Sequence, residues 1–302
     1  MHFYSKLVLG LLWTVASAIA SAQATGAADS DAEQLKIAAL EALVSAPPAR
    51  ALPIAMKVLS GNHSDEVKSR ALFILSQIDT PEAQSALVDV AATDTGELRL
   101  DAIRMIGIGG SPSALARLPD IFRNGDTEVR ESVLEAYLIA GDSEAVYQIA
   151  ANTADDDEFD MAVSTLGAMG ARDKLKLLRG RPGDSESLIQ AYAIAGDYES
   201  LEAIALDNST PDRQLHALRA LGMVGEERAN QTLLEVYRSS SSEDIRESAL
   251  EGMMIADYEE GVLQLFRESK DSAEKQQLLR MLVMMDSDAI IDIIDATLGG
   301  TQ

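Results

Sequence analysis

The chain carries an apolar pattern that recurs about every thirty residues. An apolar motif, most often of the form A-[LIV]-x-[AMIT]-[LIY], occurs nine times, and successive copies are 26 to 32 residues apart. Around each copy the apolar residues are spaced i, i+3, i+4 and i+7, which is typical of an amphipathic helix. No segment alternates with period two, so the pattern predicts helices and no strands. The first residues of the motifs, which we call the anchors, are Ala39, Ala71, Ala102, Val133, Ala162, Leu188, Ala217, Ala249 and Leu278.

The residues between motifs divide each period into two helices. Gly141-Asp142 and Gly196-Asp197 supply a glycine for a left-handed helix end and an aspartate for the next N-cap. Thr80-Pro81 and Ser111-Pro112 supply a capping hydroxyl and a proline at the first helical position. One such unit cannot cover its own apolar face, whereas stacked units bury a shared core. We therefore predict an all-α fold, a right-handed α-solenoid of about nine two-helix repeats over residues 34–300.

The N-terminal segment differs from this pattern. Lys6 precedes an apolar stretch from Leu7 to Ile19, and two overlapping A-x-A cleavage patterns lie within Ala20–Ala24. This order is typical of a cleavable signal peptide, and an uncleaved anchor is the alternative. We predict a signal peptide at residues 1–24 and a flexible leader at 25–33. The mature protein is then expected to be periplasmic or secreted, with no stable membrane insertion.

The charge balance narrows the class of partner. The chain has 49 acidic and 25 basic residues, which gives a formal net charge of -24. Phosphate binding needs clustered Lys and Arg, and the sequence has no such cluster, so we expect no nucleic-acid partner. The acidity favours either solubility alone or a cationic partner attracted by the field. Cysteine is absent, which excludes disulfides, thiolate metal sites and cysteine nucleophiles.

Several units open with acidic or polar residues, an aliphatic residue and a basic residue before the anchor. The segments are Asp65-Glu66-Val67-Lys68, Glu97-Leu98-Arg99, Thr127-Glu128-Val129-Arg130 and Glu243-Asp244-Ile245-Arg246. They resemble the HEAT-repeat family, and the short period is similar to its phycobilisome-lyase-type members. The resemblance implies a ladder between these basic residues and acidic turn residues of neighbouring units. The fifth unit (Glu158 to Met161) and the sixth (Ser185 to Ser187) lack the basic residue, so we expect the ladder to be interrupted there.

The resemblance implies no single function, because such families include scaffolds, assembly factors, chromophore lyases and metal-dependent hydroxylases. The hydroxylases hold iron with paired His-Glu motifs, but the predicted mature chain has only His63 and His216 and no His-Glu dipeptide. No P-loop, G-x-S-x-G or H-E-x-x-H motif is present. We therefore expect no catalytic residue, cofactor or metal. The alternative is an enzyme or cofactor-handling, lyase-like protein whose site in the concave groove has no local motif.

Three further groups of residues have a structural and a functional interpretation. The acidic run Asp155–Asp160 is typical of a helix start, and a calcium site is the alternative. Tyr137 and Tyr192 occupy equivalent places in two A-Y-x-I-A-G-D segments, which indicates packing between units. A methionine cluster near the C-terminus is interpreted as core filling, with an apolar ligand surface as the alternative: Met253, Met254, Met281, Met284 and Met285.

The second helices of HEAT arrays line the concave face, so we expect a partner on their solvent side. We interpret the protein as a non-catalytic protein–protein interaction scaffold or assembly factor of the bacterial periplasm. The expected partner is a basic or polar extended segment of another protein, and an ordinary hydrated helix face is the alternative. The predicted contact residues, called here the second-helix stripe, are Asp89, Asp120, Tyr147, Glu202, Gln231 and Glu235.

Overall fold

The computed structural model describes residues 31–180, 186–287, 289–291 and 293, and these residues form helices and turns without strands. The predicted all-α class is therefore confirmed. The predicted signal peptide lies outside the described residues. The predicted flexible leader is wrong for residues 31–33, which already belong to the first helix, because Ala32 and Glu33 are good helix formers. The chain divides into two compact units, Met1–Ala140 and Gly141–Gln302.

The first unit alternates first and second helices as the repeat predicts. The first helices of its repeats are α1, α3, α5 and α8, and the second helices are α2, α4 and the short pair α6 and α7. Helices α3, α5 and α8 pack side by side in that order. The bounds are 31–43 for α1, then Pro48–Ser60, Asp65–Ser76, Pro81–Thr93, Glu97–Gly109, Pro112–Leu115, Leu118–Asn124 and Thr127–Ala140 for α2 to α8.

The second unit continues the same alternation. Its first helices are α10, α12, α14, α16 and α18, and its second helices are α9, α11, α13, α15 and α17. Helices α10, α12, α14 and α16 pack side by side, whereas α18 packs mainly against α17. The bounds of α9 to α18 are Ser143–Asn152, Asp156–Ala168, Arg172–Leu177, Glu186–Ile194, Tyr198–Ala205, Pro211–Val224, Glu227–Ser239, Glu243–Ile255, Glu259–Glu268 and Ser272–Met284.

The anchors form the core as predicted, with one exception. All anchors from Ala71 to Leu278 have no exposed surface. Ala39 is exposed, and the next residue, Leu40, is buried instead. Among the described residues, α1 has a neighbouring repeat on one side only, so fewer of its positions can be covered.

The turn chemistry is confirmed at three of the four predicted places. Gly141 and Gly196 are left-handed, and the side chains of Asp142 and Asp197 accept hydrogen bonds from backbone N–H groups of the next helix. Thr80 does the same for α4. Ser111 differs, because its hydroxyl lies 3.0 Å from that of Ser113 and caps no backbone N–H.

Successive first helices approach each other at small residues. Three pairs join the residue five positions after one anchor to the residue three positions after the next. A Cβ added to Gly107 would lie 2.6 Å from the carbonyl oxygen of Ala136, and one added to Gly222 would lie 2.3 Å from that of Gly252. A Cβ on Gly167 would lie 3.1 Å from Ala191. We call these places the seam positions; there the two backbones are in direct contact.

The same positions hold methionines in the last pair of first helices. The seam residues of α16 and α18 are Met254 and Met281. Instead of close packing, a cleft of about 720 Å³ lies between α16 and α18. The core-filling prediction holds for Met253, which is fully buried, and is wrong for Met254 and Met284, which are 38% and 71% exposed. Helical periodicity identifies the face of a methionine but not whether another helix covers it.

The seam gives the first prediction. Gly222→Ala should destabilise the second unit by about 1–3 kcal/mol, because the new methyl group would overlap a backbone carbonyl that cannot rotate away. The measurement is the urea midpoint followed by circular dichroism. Met223→Ala, a change at the exposed neighbouring residue, is the control and should leave the midpoint nearly unchanged. Equal midpoints for both variants would contradict the seam.

Candidate functional site

All six residues of the second-helix stripe lie on second helices and outside the core. Asp89 is on α4 and Asp120 on α7, in the first unit. In the second unit, Tyr147 is on α9, Glu202 is on α13, and Gln231 and Glu235 are one turn apart on α15. Tyr147 and Glu202 are half-buried and the other four are exposed. Their role in binding a partner stays a prediction.

In the first unit, a basic residue joins the predicted acidic ones. Arg117, in the turn between α6 and α7, lines two neighbouring depressions of the surface. Asp89 lines one of them together with Ser85 and Val88, and Asp120 lines the other. The surface there is therefore of mixed charge.

In the second unit, two of the stripe residues are held by cations from the following second helix. The Lys174 ammonium lies 5.4 Å from the ring centre of Tyr147 and donates to Glu144, and this hydrogen bond lowers the pKa of the Glu144 carboxyl. The Arg228 guanidinium lies 3.9 Å from Glu202 and 4.4 Å above the ring of Tyr198, whose hydroxyl also donates to Glu202. Such contacts order the side chains more than they stabilise the fold.

The sequence did not indicate the cleft between α16 and α18. Its walls carry Glu243, Arg246, Glu247 and Leu250 from α16 or its start, and Asp271, Ala273, Glu274, Gln277 and Arg280 from α18 or its N-cap. Tyr237 of α15 forms part of its lining. No local sequence pattern marks it, because its walls come from helices of different repeats.

A hydrogen-bonded network occupies this cleft. The Tyr237 hydroxyl donates to Glu274 at 2.7 Å, Ser269 donates to the same carboxylate, and Arg246 lies 3.9 Å from it. The hydrogen bonds from Ser269 and Tyr237 and the charge of Arg246 lower the pKa of Glu274. Burial, together with the Glu274 carboxylate, raises the pKa of Tyr237. Near neutral pH, the Glu274 carboxylate is therefore ionised and accepts a hydrogen bond from the neutral Tyr237 phenol. This hydrogen bond connects α18 to α15.

Most of the residues tested for metal or acid–base chemistry have structural partners, the exception being His63, whose buried Nδ1 has no hydrogen-bond partner within the described chain. Asp155 caps α10 by accepting from the N–H of Glu158, and Glu158 accepts from Thr153, as expected of a helix start. His216 Nδ1 lies 3.5 Å from Glu186, and His63 lies against Gly61 in a turn. Within the described residues, no three His, Asp or Glu side chains converge as metal ligands. In the same part of the chain no helix is long and apolar enough to span a bilayer.

Comparison with known proteins bears on this arrangement. Residues 23–107, which extend through α1 to α4 and most of α5, match the sequence family of HEAT repeats. Residues 23–107 of this chain thus carry HEAT repeats. No curated protein matches it. Similar solved structures include human deoxyhypusine hydroxylase in complex with glycerol, at 18% identity, a TM-score of 0.35 and coverage of 84% of this chain and 91% of that one.

A second similar structure is the complex of CpcE and CpcF of phycocyanin lyase from Nostoc sp. PCC7120. It has 19% identity and a TM-score of 0.33, and the match covers 76% of this chain and 93% of that one. At these TM-scores neither superposition carries an inference about function.

The basic residues at the start of the repeats have three kinds of partner, of which only one is an acidic residue of a neighbouring repeat. Arg246 pairs with Glu274 of the next repeat, as the resemblance implied. Arg99 departs from that expectation, because its Nε donates to the Ala91 carbonyl at the end of α4. Arg130 lies over the ring of Phe122, in the second helix that precedes it. Where the fifth repeat lacks the basic residue, Ser187 donates to Asp160 at 2.6 Å.

The cleft network gives a prediction about pH. Because folding lowers the pKa of Glu274 below its ordinary value of 4.5, the carboxylate stabilises the fold above that pH, and this stabilisation is lost as the pH falls through the lowered pKa. Glu274→Gln should therefore cost roughly 1 kcal/mol at pH 7 and progressively less below pH 4.5. Urea unfolding at several pH values measures it. Glu247→Gln, on the same cleft, is the control, and a pH-independent loss in Glu274→Gln would contradict the assignment.

Proposed function

We propose that this protein is a non-catalytic scaffold or assembly factor that binds another protein through the solvent-facing side of its second helices. The observation that carries the proposal is that side chains from consecutive second helices of each unit project there. In the second unit the aromatic and acidic ones are already ordered by Lys174 and Arg228. A surface whose side chains are ordered before binding loses less entropy when a partner binds.

The chemistry of the partner follows from the charges of this surface. Asp89 and Glu235 are exposed and take part in no ion pair within the described chain. The field of a chain with a net charge of -24 attracts cationic segments and repels polyanions. The proposed partner is therefore a basic or polar extended segment of another protein, and not a nucleic acid.

We further propose that the protein works in the bacterial periplasm. The support is the order of Lys6, the apolar stretch Leu7–Ile19 and the small residues Ala20–Ala24 in the sequence. An exported HEAT array without cysteines needs no oxidative folding step, so packing alone can stabilise it in that compartment.

Charge reversal tests the binding surface. The variant Asp89→Lys, Asp120→Lys, Glu202→Lys, Glu235→Lys should retain roughly tenfold less of its partner than the wild type in capture from envelope extract at low salt, because a basic partner is then repelled. High salt should reduce the difference, since exposed charges are screened.

The matched control places the same charge change on first helices. The control variant replaces four exposed acidic residues of first helices by Lys: Glu128, Glu131, Asp212 and Asp244. This control should capture the same proteins as the wild type, and circular dichroism should show that both variants are folded. Unchanged partners and affinity in the stripe variant would refute the proposed surface.

Export is tested separately. A fusion of residues 1–30 to alkaline phosphatase, which is active only after export, should be active in a bacterial host. Replacing Leu9 and Leu12 by Asp interrupts the apolar stretch and should abolish that activity. An inactive unaltered fusion, or equal activity of both fusions, would refute the proposed location.

A further inference from the structure

Exposed apolar residues recur at one position of the first helices. From α5 onward, the residue six positions after every anchor is apolar and exposed. We call this set the end row, because each member lies in the last turn of its helix or directly at its end. The large members are between 40 and 71% exposed. The end row consists of Ile108, Ile139, Ala168, Ile194, Met223, Ile255 and Met284.

Helix stability does not explain why apolar residues occupy these helix ends. The last turn of a helix is favourable for Lys or Arg, which interact with the negative end of the helix dipole. Several second helices follow this preference, with Lys57 in α2, Arg123 in α7 and Arg238 in α15, whereas α4, α9 and α13 do not. None of the described first helices from α3 onward has a basic residue in its last turn. The position is also too exposed for these side chains to contribute much to the core.

In the second unit the end row has an acidic border. The turn two residues after each end-row residue holds a left-handed residue, and in five repeats it is glycine. The last two repeats have Asp257 and Asp286 there instead, with φ of 53° and 52°. A left-handed conformation costs roughly 1 kcal/mol at a residue other than glycine. Both carboxylates are exposed, and Glu226 adds a third after Met223.

The opposite border carries less net charge. Four residues before Met223 and before Ile255, Arg219 and Glu251 form an ion pair with each other. Arg280 is the corresponding residue of α18 and is exposed. Beside Met223, Ile255 and Met284, the end row is thus an apolar strip with an acidic side formed by the turns and a nearly balanced side formed by the helices. The turn after Ile194 differs, because Arg172 donates to the Ala195 carbonyl there.

The charges on the two sides of the end row indicate which kind of partner it can bind. A second copy of this chain would bring its own acidic turns against Glu226, Asp257 and Asp286, and an anionic membrane surface would likewise be repelled. A partner segment with an apolar face and a basic flank complements both features. Packed helices are about 8–10 Å apart, and seven residues of an α-helix rise about 10.5 Å, so a helix with an apolar heptad repeat presents one apolar residue to each of the packed helices α12, α14 and α16. Met284 of α18 lies beyond the cleft and would meet the end of such a helix.

We propose that the end row of the second unit, Ile194, Met223, Ile255 and Met284, binds an amphipathic helix of a partner protein whose basic flank lies over the acidic turns. This surface is separate from the second-helix stripe, and its proposed occupant has a different chemistry. The stripe attracts polar or basic extended segments, whereas the end row requires apolar side chains at a helical spacing.

A designed peptide provides the probe. It is a fluorescein-labelled helix of three heptads with Leu at the a and d positions, Lys and Arg on one flank, and Gln elsewhere. Its binding to the full chain is measured by fluorescence anisotropy. Met223→Gln, Ile255→Gln and Met284→Gln together should raise the Kd at least roughly tenfold, because three apolar contacts are lost. The double variant Asp257→Asn, Asp286→Asn removes two acidic charges and keeps the left-handed turns, which asparagine tolerates. It should raise the Kd at low salt and much less at high salt, where charges are screened.

Two controls isolate the surface. Leu177→Gln with Leu206→Gln changes exposed apolar residues at the ends of α11 and α13, 64% and 48% exposed, and should leave the Kd unchanged. A peptide with Glu in place of the Lys and Arg flank should bind at least roughly tenfold more weakly, because its flank meets the acidic turns. The charge-reversed stripe variant should bind the basic peptide like the wild type, so failure of one proposal does not imply failure of the other.

Several outcomes would overturn the inference. They are no binding of the basic peptide to the wild type, the same Kd for the triple Gln variant, or equal binding of the two peptide flanks. A wild-type dimer in sedimentation equilibrium that the triple Gln variant converts to monomer would assign the end row to self-association. Co-sedimentation with phosphatidylglycerol vesicles that the same variant abolishes would assign it to a membrane surface.

Discussion

Direct backbone contact between successive first helices is the constraint on which the rest of the structure depends. A two-helix repeat cannot cover its own apolar face, so each repeat must approach the next closely enough to exclude water. At Gly107, Gly167 and Gly222 the approach is limited by the main chain itself, because no side chain stands between the helices. Between α16 and α18, whose seam residues are Met254 and Met281, a polar cleft takes the place of that contact.

The repeating parts of this fold could be predicted from the sequence because they depend on local rules. Helical periodicity and turn chemistry place the anchors and most caps, and equivalence between repeats places Tyr137 and Tyr192. Their hydroxyls donate to the carbonyls of Leu115 and Leu175 in the second helix of the preceding repeat. The cleft could not be predicted in this way, since its walls come from helices of different repeats. The exposure of Met284 likewise depends on which faces are covered and not on periodicity.

The candidate binding surface shows the same division between local and non-local information. Helix phase is local, so the positions of Asp120, Glu202 and Glu235 on the solvent side of second helices could be predicted. Their electrostatic surroundings could not, because the cations come from elsewhere in the unit: Arg228 reaches Glu202 from the next second helix. Net charge also hides local balance, since Arg117 makes part of the first unit's surface mixed within a strongly acidic chain.

The second-helix stripe and the end row differ in their effect on the stability and solubility of the fold. Exposed charges on second helices are compatible with solubility and need no partner to explain them. The end row is different, because exposed Ile and Met contribute neither solubility nor core, and the last turn of a helix would be more stable with a basic residue. Repetition adds weight to this point: an isolated exposed apolar residue is ordinary, but the same choice in every first helix from α5 onward is a property of the repeat. Since the strained aspartates Asp257 and Asp286 stand beside the same row, two independent costs fall on one edge of the second unit. A bound partner with apolar and basic groups would offset both costs at once, whereas packing within the chain offsets neither.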